Sequence, residues 1–304
     1  YAVHFIMPAS LDTKCGFVSI IGRPNVGKST LLNAMMQEKL ALVSHKSNAT
    51  RKRFQAIGMY KQTQMIFVDT PGLHEKEKLL NQFMLEEALR AIGDCDLILF
   101  LADATDSLKH YEHFLTLIKD KTQHILVLNK IDQITHDQLI QKIAEYSVHN
   151  NQFLDLVSIS ATKEKTLNTL FEVISNHLPS SPYLYDPELL TTETTANLYK
   201  EFIREALFNG ISDEIPYESD VILNSLKETP KLVKIQATIV IEKESQKGIL
   251  IGKKGATIKR LGTTARHTIE KFAEKKVFLE LFVKVQKGWS KNKNSLMDFG
   301  YEVD

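Results

Sequence analysis

Cysteine is nearly absent from this chain: Cys15 and Cys95 are the two among 304 residues. Two thiols exclude a disulfide framework, and neither stands at metal-ligand spacing with the scattered histidines. No apolar run approaches the ~20 uncharged residues that a membrane-spanning helix needs. The N-terminus lacks the basic segment and apolar core of a secretory signal. A soluble, intracellular, cytoplasmic protein is the expectation. Tryptophan occurs once, as Trp289, and core packing is its preferred reading over a role in base stacking. The apolar fraction of 43% excludes a disordered or fibrous class and suffices for two cores, the natural number for this length.

Net charge is almost absent as well, at +1, but cutting the chain at Pro230 uncovers a segregation. Residues 231–304 hold 16 Lys and Arg against 8 Asp and Glu, a net +8, leaving residues 1–230 with 22 against 29, a net −7. A basic module of this kind suits a polyanionic partner.

Short apolar runs at 17–21, 65–68, 97–101, 125–128 and 156–159 read as buried parallel strands. Segments 29–37, 79–92, 111–118 and 137–146 have helical spacing. Together they predict an open α/β sheet with helices on both faces, and 54–60 reads as an added antiparallel edge strand. Residues 1–10 read as an extension without function, Met7 being a natural start. The first domain is placed at 11–178. Pro179, Pro182 and Pro187 mark a linker over 179–190. A second, α+β domain follows at 191–304, with a helix at 197–208, strands at 221–227 and 232–243, a glycine-containing helical region at 246–275 and a last strand at 278–285.

The segment Gly22-Arg23-Pro24-Asn25-Val26-Gly27-Lys28-Ser29 lies between the first strand and a helical run. It is a P-loop: its glycines let backbone N–H groups curl around a phosphate, and the helix N-terminus adds its dipole. Gly22, Asn25, Val26, Gly27, Lys28, Ser29 and Thr30 are the phosphate-side candidates, with Lys28 reaching the β and γ oxygens and Ser29 ligating Mg²⁺. Asn129-Lys130-Ile131-Asp132 follows a later strand, at the edge where such sheets bind ligands. The Asp132 carboxylate can accept two hydrogen bonds from guanine that adenine does not offer, which favours GTP and GDP over adenine nucleotides. Ser160-Ala161 suits a backbone contact to the guanine O6. Asp69-Thr70-Pro71-Gly72 places a carboxylate for Mg²⁺ and an N–H for the γ-phosphate.

These elements, in this order, resemble the translation-factor class of GTPases. The resemblance implies that Thr50 ligates Mg²⁺ when GTP is bound, so Lys28, Thr50, Asp69 and Gly72 form the catalytic set. Leu73 stands where Ras-like proteins carry the glutamine that orients water, and a hydrocarbon cannot do so. Slow intrinsic hydrolysis is expected. In relatives with that substitution an asparagine placed as Asn25 helps bind K⁺, which implies potassium stimulation; simple loop geometry is the equal alternative for Asn25.

In the second domain Ile251-Gly252-Lys253-Lys254-Gly255 carries a GxxG loop with apolar flanks, the signature of a KH domain. Its glycines allow close approach of a sugar-phosphate backbone, and about four unpaired nucleotides fill such a groove. Lys259, with Lys247 and Arg260, would add phosphate contacts. The order of elements resembles a type II KH domain. One GTPase domain followed by one KH domain is similar to the Era family along essentially the whole chain, with further matching stretches at Glu214-Ile215-Pro216-Tyr217 and Lys287-Gly288-Trp289-Ser290. That resemblance implies binding near the 3′ end of small-subunit (16S) ribosomal RNA and a role in 30S subunit assembly. A monomer is the default expectation, and a peripheral association with the cytoplasmic face of the inner membrane is a further reading with only the basic patch behind it. Ala49, where many family members carry threonine, is a departure in the switch loop.

Overall fold

The computed structural model describes residues 13–44, 50–51, 53–71, 91–118, 122–211, 214–299 and 301. These fall into two compact units, one built from the chain up to Glu38, Phe54–Asp69 and the stretch ending at Thr192, the other from Lys39–Arg53 and the chain from Glu193 onward.

The first unit is a six-stranded sheet: β1 (Lys14–Ile21), β2 (Phe54–Tyr60), β3 (Thr63–Asp69), β4 (Leu97–Asp103), β5 (His124–Asn129) and β6 (Leu156–Ser158), in the order β2-β3-β1-β4-β5-β6. β1, β3, β4, β5 and β6 run parallel, and β2 pairs antiparallel with β3 from Phe54↔Asp69 to Tyr60↔Thr63. Every residue of β3, β4 and β5 is buried. Strands covered on both faces need continuous apolar runs, which is why they are legible as such in the sequence. The helices are α1 (Lys28–Met36), α2 (Lys109–Leu117), α3 (His136–Tyr146) and α4 (Glu164–His177). Thr135 and Gln138 close a reciprocal capping box at the start of α3, worth about 1 kcal/mol. The sequence reading does not name α4, which buries Leu167, Leu170 and Ile174. Most of the expected helix at 79–92 lies outside the described residues. Residues after α4 run along the sheet: Ile57 N donates to the Leu190 carbonyl at 2.8 Å, and Ala56 bridges Thr191.

Parallel strands end on a common edge, so the turns after β1, β3, β5 and β6 gather there. β1 has neighbours on either side, and the chain order reverses around it, as at the switch points where such sheets bind ligands.

The second unit contains α5 (Thr195–Gly210), β7 (Ser219–Glu228), β8 (Leu232–Ile241), α6 (Glu244–Ile251), α7 (Ala256–Ala273), β9 (Lys276–Val285) and α8 (Lys293–Asp298). β8 is central, antiparallel to β7 and parallel to β9. The expected order of elements is present, with α8 as an addition. Trp289 is fully buried with Val240, Leu296, Phe299 and Tyr301 around it, and its Nε1 donates to the Glu218 carbonyl at 3.2 Å.

A buried carboxylate organises this unit. Asp220 is fully buried, with Arg204 Nε at 3.7 Å, Arg51 and Lys200 at 3.8 Å each and the Tyr301 hydroxyl donating at 2.5 Å. Burial pushes its pKa up, but Lys200, Arg204, Arg51 and the tyrosine bond outweigh it and hold the carboxyl far below the usual range. A depressed pKa contributes stability above the unfolded value of about 4, which is lost as pH falls toward the folded value. Asp220→Asn leaves buried cations without their counter-charge and should cost about 3–5 kcal/mol at pH 7. Denaturant unfolding of the two proteins should show that difference shrinking as pH drops below about 4.

Candidate functional site

Gly22 to Ser29 form the turn between β1 and α1, and packing dictates its glycines. A Cβ at Gly22 would lie 2.5 Å from the Leu101 carbonyl oxygen, and one at Gly27, held at φ +102°, would lie 2.5 Å from Asn129 Nδ2. Asn25 is exposed at φ 61°, a left-handed backbone that asparagine tolerates. α1 opens without a side-chain cap, so its first N–H groups are available to an anion.

Lys28 is buried, its Nζ donating to the carbonyls of Gly22 at 3.0 Å and Arg23 at 3.1 Å. Burial pushes its pKa down to about 8, with Asp69 opposing that and Arg23 adding to it. Ser29 Oγ donates to Asp69 Oδ2 at 2.6 Å, so the first turn of α1 and the end of β3 bring a hydroxyl and a carboxylate together. Thr30 follows within the first turn of α1.

The turn after β5 braces this loop. Asn129 spends both ends of its amide on backbone: Nδ2 donates to the Val26 carbonyl and Oδ1 accepts from Ala161 N, each at 2.9 Å. Lys130, in the left-handed region at φ 62°, donates to the Asn25 carbonyl at 2.8 Å and pairs with Asp103 at 2.7 Å. Asp132 stays exposed. A hydrogen bond from Ser160 lowers its pKa first, against slight burial, and Lys163 and Lys130 add to the lowering. Gly22–Ser29, Asp69, Asn129–Asp132 and Ser160–Ala161 therefore meet at one sheet edge. Thr50 belongs to the second unit's segment Lys39–Arg53, and Gly72 and Leu73 lie outside the described residues.

In that segment Arg51 is 1% exposed. It donates to three carbonyls of the same unit, Ser219 at 2.8 Å, Pro216 at 3.0 Å and Tyr217 at 3.1 Å. Its burial could not be foreseen from an arginine in a polar loop.

The GxxG loop joins α6 to α7. Gly252 has φ +74°, and a Cβ there would collide with Thr257 Oγ1; Gly255 has φ +78° and open space around it. Ile251 is half-buried, and Lys253, Lys254 and Lys259 are exposed. Arg260 donates to the Gly210 carbonyl and Lys247 lies 3.7 Å from Glu244, so these two cations carry partners already. Beside the loop a cleft of about 340 Å³ runs between α7 and β9, lined by Ile258, Lys259, Gly262 and Arg266 on one side and Leu279 and Leu281 on the other. The sequence reading omits Gly262 and Arg266. They lie one and two turns beyond Lys259, a helical spacing that could have flagged them.

The sequence matches the family described as 50S ribosome-binding GTPase over residues 17–130 and the KH domain family over residues 214–290. GTPase Era of Helicobacter pylori strain G27 is 53% identical over 296 residues, covering 96% of this chain and 98% of the relative. The chain belongs to the Era family of GTPases. GTPase Era of Campylobacter jejuni strain 81-176 is 47% identical, covering 93% of this chain and 97% of its own. Among solved structures, a single-substitution variant of Aquifex aeolicus Era bound to GDP·AlF4⁻ superposes with a TM-score of 0.92 at 33% identity, covering 96% of this chain and 100% of that one. Era in complex with MgGDPNP and nucleotides 1506–1542 of 16S ribosomal RNA gives 0.91 at the same identity and the same coverage of both chains. The fold of this Era-family chain is thus a P-loop GTPase domain followed by a KH domain.

The Lys28 amine should titrate near pH 8 without nucleotide. Phosphate oxygens raise an amine's pKa, so binding takes up a proton: affinity should be full below about pH 8 and weaken above it. Side-chain ¹⁵N titration of Lys28, free and nucleotide-bound, checks both statements.

Proposed function

We propose that the chain is a GTP-hydrolysing switch of 30S subunit assembly that binds 16S ribosomal RNA near its 3′ end through the KH groove. The observation that carries this is the brace from Asn129 and Lys130 to the P-loop backbone, which joins a phosphate cradle and an acidic guanine reader into one site. The solved relative that holds both MgGDPNP and 16S ribosomal RNA nucleotides 1506–1542 supports the pairing of activities.

In this reading backbone N–H groups from Asn25 to Thr30 hold the phosphates, and Lys28 exchanges its two carbonyl bonds for β and γ oxygens. Asp132 takes the two guanine donors, the Ser160-Ala161 backbone lies toward O6, with Ala161 N shifting there from Asn129 Oδ1, and the Gly72 N–H reaches the γ-phosphate. Ser29, Asp69 and Thr50 offer hard oxygen donors that fit Mg²⁺. Among the described residues no cluster of three or more His, Cys, Asp or Glu could hold a metal, so phosphates and water complete the set, as Mg²⁺ favours. When bound, Mg²⁺ neutralises charge on the β and γ oxygens. Ile251, Gly252, Lys253, Lys254, Gly255 and Lys259 take the RNA backbone.

Coupling has a physical means. Thr50 and Arg51 are adjacent, so a nucleotide state that orders Thr50 bears directly on the carbonyl bonds of Arg51 inside the RNA-binding unit. Potassium stimulation through Asn25 belongs to the same reading, and equal turnover in Na⁺ and K⁺ buffers would remove it. So do a cytoplasmic monomer and peripheral membrane association. No helix among the described residues is long and apolar enough to cross a membrane, and flotation with anionic vesicles against competing RNA tests the association.

The test of the whole is GTP turnover in potassium buffer with and without the 1506–1542 fragment. The RNA should stimulate turnover, and Lys28→Ala should abolish it; a static RNA binder would show neither turnover nor response. For the base reader, Asp132→Asn replaces one acceptor by a donor facing guanine, and an unmade buried bond costs about 1–3 kcal/mol. Calorimetry should show GTP affinity reduced by roughly 5- to 150-fold, with xanthosine triphosphate bound better than by the native chain.

A further inference from the structure

The second unit's sheet has one face packed and one open. Val233, Ile235 and Ala237 of β8 are fully buried, and alternation along a strand sends the intervening residues to the opposite face. There the register sets Lys227, Lys234 and Phe278 in one row, Ser225, Gln236 and Glu280 in the next, and Ile222, Thr238 and Phe282 in a third. Phe278 and Phe282 are each 52% exposed, unusual for phenylalanine on a sheet. Among the described residues the C-terminal segment covers the far end of this face, where Trp289, Leu296, Phe299 and Tyr301 surround Val240 and Ile222.

Charge selects the occupant. Lys227, Lys234, Lys276 and Lys284 stand on this face by register and alternation, all exposed and without an ion-pair partner among the described residues. The single carboxylate in those rows, Glu280, accepts a bond from Gln236 Nε2 at 2.8 Å. Two exposed rings about 13 Å apart along one strand, bordered by these lysines, make a stacking platform with phosphate contacts around it. Continuity points the same way. β9 is one of the two edge strands, and its Leu279 and Leu281 line the groove while Phe278 and Phe282 face the other side. A polynucleotide leaving the groove over that edge meets the platform next.

We propose that the open face of the sheet, centred on Phe278 and Phe282, is a second single-stranded RNA site that extends the path of RNA beyond the GxxG groove. The proposal rests on the reading of that groove as the RNA site, and the experiment separates the two. Fluorescence anisotropy of the full chain would use the 1506–1542 fragment and a short single strand of about four nucleotides that fills the groove alone. Phe278→Ser with Phe282→Ser should weaken the long fragment about tenfold or more, leaving the short strand and GTP turnover without RNA unchanged. Lys253→Ala with Lys254→Ala should weaken both RNAs. Undiminished affinity of the phenylalanine variant for the long fragment overturns the second site and leaves the face to an acidic protein partner; undiminished affinity of the lysine variant defeats the groove reading instead. Fluorine NMR of the native chain labelled with fluorophenylalanine needs no substitution. Resonances of Phe278 and Phe282 should move with the long fragment alone, and still resonances overturn the proposal.

Discussion

Gly27 and Asn129 cannot both keep their places if either grows. The 2.5 Å that a Gly27 Cβ would leave to Asn129 Nδ2 measures how closely the loop after β1 is pressed against the turn after β5. Asn129 also accepts from Ala161 N, so three carboxyl-edge turns are fixed by one amide. The distance from phosphate cradle to guanine reader is thereby set by the sheet and not by flexible side chains. Such preorganisation is what phosphoryl transfer asks of a protein, since positioning and charge stabilisation do nearly all the work.

The second unit is arranged around charge. Asp220 sits among three cations, and a buried ion cluster adds little net stability over an apolar replacement while losing one partner is costly. Arg51 is the one of those cations that comes from the segment containing Thr50. An anchor of this kind is strong while complete and weak once broken, the property needed of a contact that two sites are to share. Outside the cluster, exposed lysines stand along the GxxG loop and on the open face of the sheet.

How much of this is legible in the sequence depends on the range of the interaction. Buried parallel strands announce themselves because both faces need apolar residues, and the P-loop because four residue types must stand in order before a helix. Phe54–Tyr60 is placed to the residue as an edge strand, since its alternation and short turn are local signals. The parallel pairing of β8 with β9, by contrast, is decided by a crossover through two helices. Asn129 is read as a nucleotide contact, and its amide also ties the Val26 carbonyl to Ala161 N, a bracing role only the packed loops can impose. Arg51 and Asp220 stand far apart along the chain and meet only in the folded unit; no local pattern marks either. The helix Glu164–His177 has its apolar residues diluted by Asn, Ser and Thr and escapes a reading tuned to denser periodicity.

The central claim is that the state of the phosphate site governs the RNA site. The most direct measurement is the affinity of the full chain for the 1506–1542 fragment with a non-hydrolysable GTP analogue and with GDP, each with Mg²⁺. The account predicts tighter binding in the analogue state, by at least the fivefold that a coupling of about 1 kcal/mol provides, and loss of most of that difference in Arg51→Ala. Equal affinities in the two states would contradict it and make the chain a GTPase and an RNA binder without communication between them.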